Sequence, residues 1–372
     1  MLPPHYFPYR GETGEWPDSI PRLTTQIRRA VGFNMIKTLI RQTRVSAHGD
    51  SKGLAARRAL ARPLLLGLLG LLALGGCEAP LNLQKVGQEQ DKAIHRFDHM
   101  KAMAASESHV VAGSDAGVLL VSDHAAAQWQ RVQLPTKAAI LSLTACPNGR
   151  FTAVDTRHTL WVSNAQAQDW QAKPIDTTES LMGLGCDAEN RVWVGASFST
   201  LLSSEDFGET WQSVSMDEDL QFTVLSFAQG QRFAAGEFGT LMVSEDGEQW
   251  QAVEPIPNEL YPMGLHFANA QQGWVSGLGG TIYYTADGGN SWERQEAEAS
   301  APLYNFVAMG ERLFAVGDNG TLLERNGDQW QRVPNFTPIP TYLVDGVGLS
   351  DGRLLLAGGG GTVIELKPEA VQ

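Results

Sequence analysis

The chain has 372 residues, enough for one large domain or two ordinary ones, with 28 Lys+Arg against 41 Asp+Glu and a net charge of −13. That balance argues against a nucleic-acid binder, which needs basic residues to displace counterions. Three Cys are too few for a disulfide scaffold or a structural zinc site.

The charge changes sign along the chain: residues 1–76 hold 11 basic and 4 acidic residues, and residues 77–372 hold 17 and 37. The first of these segments ends in Arg57 and Arg58, then an apolar run from Leu64 to Leu74. That run is 11 residues long, short of the roughly 20 a membrane helix needs. A basic flank, a short apolar core and small residues make an export signal. The run closes on Leu74-Gly75-Gly76-Cys77, which resembles the bacterial lipobox. Cys77 is therefore the expected lipidation site and new N-terminus. Residues 1–76 are expected to be a mis-assigned start plus signal, and 77–80 a lipid-anchored linker. Glu78, where an Asp would favour the inner membrane, leans the expectation toward the outer one. Either way the exported part faces the periplasm.

Downstream, Trp129, Trp170, Trp211, Trp250, Trp292 and Trp330 recur 41, 41, 39, 42 and 38 residues apart. Upstream of each lies a second phrase, clearest from Arg232 to Ser244 and from Arg312 to Leu323. Weaker copies start at His109, Arg150, Arg191 and Gln272, and a seventh at Arg353. Each reads as a short apolar strand, a Gly-rich turn and another apolar strand. A further apolar stretch precedes the hairpin, and the Trp phrase supplies a fourth strand. Four short strands per roughly 42 residues make a β-propeller blade. The predicted fold is all-β, a seven-bladed β-propeller over 81–367, with 368–372 as a tail. The seventh copy lacks a fourth strand. The segment from Leu81 to Val86 is expected to supply it and close the ring.

The turn into the fourth strand carries a signature. Ser204-Glu205-Asp206-Phe207-Gly208-Glu209-Thr210-Trp211 is the fullest copy, with variants at Asp246 and Asp287. These turns resemble the Asp-box of BNR-repeat propellers. Asp206, Asp246 and Asp287 are accordingly read as structural, accepting backbone N–H bonds inside the turn. The stretch from Gly273 to Trp292, with the phrase leading into it, resembles the photosystem II stability/assembly factor family and its bacterial relatives. The resemblance covers about 79–366. It implies a scaffold without enzymatic activity that holds a membrane protein or complex during assembly, with no cofactor and no metal. Sialidase-like glycosidases share the turns, but their Phe/Tyr-Arg-Ile-Pro segment is absent from 77–372. Carbohydrate or peptide binding is the other alternative. The expected protein is a monomer whose partners are a membrane protein and, through its anchor, a membrane.

Two further features remain open at this level. Arg150, Arg191, Arg232, Arg312 and Arg353 share one repeat position, the start of the second strand. They are expected to form an arc at the Asp-box end, either a binding arc or a set of ties to acidic neighbours. As a binding arc, it should tolerate charge reversal at Arg191, Arg232 and Arg312 without loss of fold. Cys146 and Cys186 should end the first strands of neighbouring blades, where free thiols are favoured over a bridge.

Overall fold

A computed structural model describes residues 84–367; the expected signal segment, Cys77, the linker and the 368–372 tail lie outside them. The described residues form a helix, Gln84–Gln90, followed by 27 strands. The strands group into seven consecutive antiparallel units: 100–133, 140–174, 181–215, 222–252, 264–297, 303–332 and 343–366. The first six hold four strands each and the seventh holds three.

Burial explains why these sequences take these positions. Second strands such as Val192–Ala196 and Leu354–Gly358 are buried along their whole length. Sandwiched between neighbouring sheets, they read as continuous apolar runs. Fourth strands such as Gln171–Pro174 are mostly exposed and read as polar. Each unit packs face to face on the next through an apolar cluster. Phe151 and Trp161 meet Val111 and Leu119 between units one and two. Phe233 and Leu241 meet Phe267 and Tyr283 between units four and five. The last cluster joins unit seven to unit one, with Leu355 and Ala357 against Val110 and Leu120. The first strands lie side by side in chain order, and that of unit seven adjoins that of unit one. The arrangement is all-β and propeller-like.

The expected closing strand is corrected over its described part, 84–86; residues 81–83 lie outside the described residues. Lys85 and Val86 lie in the helix Gln84–Gln90. That stretch is rich in straight-chain Gln, Glu and Lys, which favour helix, and has no run of β-branched residues to build a pleated edge. Unit seven meets unit one by other means. Met103 N donates to Asp345 Oδ2 at 2.7 Å, and Gly361 N donates to Asp98 O at 2.7 Å. Arg353 Nη1 donates to Ala125 O at 3.1 Å, and its Nη2 donates to His124 O.

Asp345 follows a register shift at the start of its strand, a bulge that re-aims the side chain. Its Oδ1 also accepts from Asn305 Nδ2 and from Gly346 N, both at 2.8 Å. Burial pushes the carboxyl up to about 6, against the pull of those donors. A carboxyl raised on folding favours the protonated form. Its contribution to stability is complete below about pH 4 and lost as the pH rises through about 6. From 3.8 to about 6, the difference corresponds to about 3 kcal/mol. Carboxyl NMR of the folded protein should place the Asp345 midpoint near 6. A midpoint at the ordinary value would contradict this account.

Units five and six depart from the repeat. Their outer strands pair in parallel, Glu296 with Gln329 and Ala297 with Trp330, so the two units share one eight-stranded sheet. Trp330 is fully buried there, and its Nε1 donates to Gln295 Oε1 at 2.8 Å.

Candidate functional site

The Asp-box turns are hydrogen-bonded loops seated on the preceding unit. Asp206 Oδ1 accepts from Thr210 N at 2.8 Å and its Oδ2 from the Thr210 hydroxyl at 2.6 Å. Those bonds hold the exposed Asp206 carboxyl down at about 2. Asp287 makes the same pair of bonds to Ser291. Asp246 accepts from Glu248 N and Gln249 N at 2.8 Å each, which suits its shorter turn. Gly247 (φ +81°) shows why the turn needs glycine, since a Cβ there would come within 2.7 Å of Trp193 in unit three. The Trp that closes each turn fills the groove behind it: Trp211 packs on the cluster between units two and three, and Trp292 on the one between four and five.

The five arginines start or precede their second strands, at the same end of the units as these turns. Arg232 is 6% exposed. Its Nε donates to Asp187 Oδ2 at 2.9 Å, its Nη2 to Glu189 Oε2 at 3.1 Å and its Nη1 to Glu245 O at 2.7 Å. Asp187 and Glu189 belong to unit three, so this arginine ties two units together. Arg191 pairs with Glu205 in the Asp-box turn of its own unit. Arg191 and Arg232 are brought together over one ring, 5.6 and 5.8 Å from the Trp193 centroid. Arg312 chelates Glu324 at 2.5 and 2.7 Å. Arg353 pairs with Asp351 at 2.7 Å and reaches Glu365 at 3.4 Å. Arg150 is exposed and lies over the Phe207 ring at 4.9 Å. Charge reversal at Arg232 should not leave the fold intact, because it would set a buried carboxylate against the buried Asp187, with the exposed Glu189 carboxylate beside them. The expected tolerance of the Arg191, Arg232 and Arg312 triple variant is corrected on that ground.

Cys146 and Cys186 are joined as a disulfide, their Cα atoms 5.1 Å apart. This corrects the expectation of free thiols. Cys186 ends the first strand of unit three, Leu181–Cys186, and Cys146 follows that of unit two, Ile140–Ala145. First strands of successive units run closest together near the axis, and the separation there falls inside the range a bridge needs.

Three buried carboxylates hold the units together. Asp155 and Asp187 are buried, and each accepts from a Trp indole at 2.9 Å: Trp161 for Asp155 and Trp193 for Asp187. The signal available was an Asp six residues before a Trp in two successive repeats. Asp98, just before the first strand of unit one, is 1% exposed and holds Arg131 through bonds of 2.7 and 2.9 Å. Burial raises its carboxyl, but the Arg131 bonds and charge outweigh that and hold it below the usual range.

A cavity of about 540 Å³ runs between the first strands, lined by residues such as Lys101, Leu143, Met182, Tyr261, Asn305 and Asp345. Both oxygens of Asp345 are already taken by N–H donors, so it is not placed to act as a base. Among the described residues no cluster of His, Cys, Asp and Glu could hold a metal ion. No described helix is long and apolar enough to cross a membrane.

Residues 244–352 match the family model described as photosynthesis system II assembly factor YCF48. The repeats within 244–352 are similar to those of the photosystem II assembly factor-like family. A curated relative within that family is the photosystem II assembly lipoprotein Ycf48 of Synechococcus sp. (strain CC9605). It is 35% identical over 82 residues, 21% of this chain and 24% of the relative. The match thus spans about a quarter of that relative's length. Among solved structures, YCF48 bound to D1 peptide is 16% identical with a TM-score of 0.58, covering 73% of this chain and 94% of that one. Virginiamycin B lyase of Staphylococcus aureus, a catalytically inactive H270A form with quinupristin, gives 0.64 at 9% identity, over 73% and 96% of the two chains. At such identities the solved structures speak for the fold alone. The family likeness rests on the sequence matches.

Proposed function

We propose that this protein is a lipid-anchored, seven-bladed β-propeller scaffold without enzymatic activity, which binds a membrane protein or complex and assists its assembly. The observation that carries the reading is the family match over 244–352, in units several of whose buried carboxylates are engaged by the fold itself. Asp98, Asp187 and Asp345 are each bonded by arginine or N–H donors, so these three are not free for acid–base chemistry of the glycosidase kind. Cys77 is the proposed lipid attachment, which holds a monomeric propeller at the periplasmic face of a membrane. Arg191, Arg232, Arg312 and Arg353 are read as ties of the fold. Arg150, exposed beside Phe207, is the member of the arc assigned to client contact.

Crosslinking in intact cells, followed by mass spectrometry of what co-purifies, tests the scaffold reading. Subunits of one membrane complex should be enriched, and their incompletely assembled forms should accumulate when the gene is deleted. Recovery of glycans or of soluble proteins alone, with assembly unaffected, would refute it.

A further inference from the structure

The end of the units opposite the Asp-box turns is made of second-to-third-strand hairpin tips and the connections between units. At the tips of three successive units, Phe198, Phe238 and Leu278 are 57%, 61% and 56% exposed, and Tyr261 between the last two is 40% exposed. The tips are continuous. Ser199 N donates to Leu220 O at 2.7 Å, Gln221 N to Glu237 Oε2 at 3.1 Å and Gly239 N to Leu260 O at 2.9 Å. Leu260 and the Tyr261 backbone lie against Gly277, next to Leu278.

Local conformation marks Phe198 and Phe238 further. They take φ of +51° and +59°, the left-handed region, where the equivalent tips of units five to seven carry Gly279, Asn319 and Gly360. A bulky residue is disfavoured there. Being exposed, neither ring returns that cost through burial, and strain held without a folding return points to function. The surroundings carry one sign of charge. Segments 197–200, 215–221, 237–240, 254–263 and 277–281 contain Asp217, Glu218, Asp219, Glu237, Glu254 and Glu259, and no Lys or Arg. Among the described residues none of these six is in an ion pair.

We propose that the tip face of units three to five docks a cationic, apolar peptide segment, one that carries Arg or Lys among large apolar side chains. Aromatic faces beside carboxylates attract a guanidinium through both the ring and the charge, and the exposed Phe and Leu side chains take up the apolar residues between. The proposal rests on the scaffold reading above and adds a second contact face, at the end opposite Arg150, and what chemistry it selects.

The test uses the full chain and a synthetic peptide of repeating Arg-Leu-Phe, with repeating Glu-Leu-Phe as its charge-reversed counterpart. The variant combines Phe198→Asn, Phe238→Asn and Leu278→Asn. Asn tolerates the left-handed region, so this variant should melt at or above the wild-type temperature. A second variant, Glu237→Gln with Glu259→Gln, removes charge and keeps shape. The wild type should bind the Arg peptide and reject the Glu peptide, and the triple variant should lose about tenfold or more in affinity. The Gln pair should weaken binding and flatten its salt dependence. Failure of the wild type to bind the Arg peptide, equal binding of the Glu peptide, or unchanged affinity in a folded triple variant would each overturn the proposal. So would a triple variant that abolishes self-association or vesicle binding while leaving peptide binding intact. If peptide binding fails while crosslinking to a membrane complex persists, the face is wrong and the scaffold stands. The opposite result removes the scaffold and spares the face.

Discussion

Asp187→Ala should lower the free energy of unfolding by about 3–5 kcal/mol, the range for stranding one partner of a buried ion pair. Asp187 is 3% exposed. It accepts from Arg232 Nε, the Trp193 indole and Arg191 N at 2.9 Å each, and from Glu189 N at 3.1 Å. Its removal leaves a buried guanidinium with only the exposed Glu189 carboxylate for compensation. Asp187→Leu combined with Arg232→Met should recover part of the loss, because no charge is then left buried. The freed N–H groups of Glu189 and Arg191 keep the recovery incomplete. Urea unfolding of the single and double variants decides the matter. A loss under about 1 kcal/mol for Asp187→Ala would show that Arg232 reaches solvent when its partner is gone.

Removing the bridge, as Cys146→Ser with Cys186→Ser, should cost about 4 kcal/mol on the chain-entropy estimate for a separation of 40 residues. The two cysteines sit in successive units, so the lost constraint falls on the joint between units two and three. Calorimetry of the wild type with and without reductant should reproduce the shift between wild type and double variant. Coincident melting of all three samples would restore the reading of two free thiols.

The strands and their grouping were legible because they rest on local periodicity. Buried second strands read as apolar runs, exposed fourth strands as polar ones, and the recurring Trp marks the end of each turn. The Asp-box turns were legible for the same reason, since Asp206 and Thr210 bond within a few residues of each other. What the sequence did not reveal depends on distant partners. Arg232 and Asp187 are 45 residues apart, and nothing in either phrase says that one unit's arginine enters its neighbour. The arginine position stayed open between a binding arc and ties to acidic neighbours for that reason. The closing strand failed on a different ground. Leu83-Gln84-Lys85-Val86 matched the Trp phrase over four residues, too few to outweigh the helix preference of Gln84–Gln90. The exposed Phe198 and Phe238 escaped notice because an apolar residue in an apolar repeat reads as core until its backbone angle and exposure are known.

The parallel pairing of Glu296–Ala297 with Gln329–Trp330 means that the repeats are not energetically equivalent. In a repeat array, each element is coupled to its neighbours through one interface term. Here units five and six are coupled twice, by side-chain packing and by a shared hydrogen-bond ladder. Releasing the outer strand of either one breaks backbone bonds in both. Residues 264–332 should therefore open as one cooperative unit, larger than any single repeat, and the slow amide protons on the two sides of that ladder should exchange together.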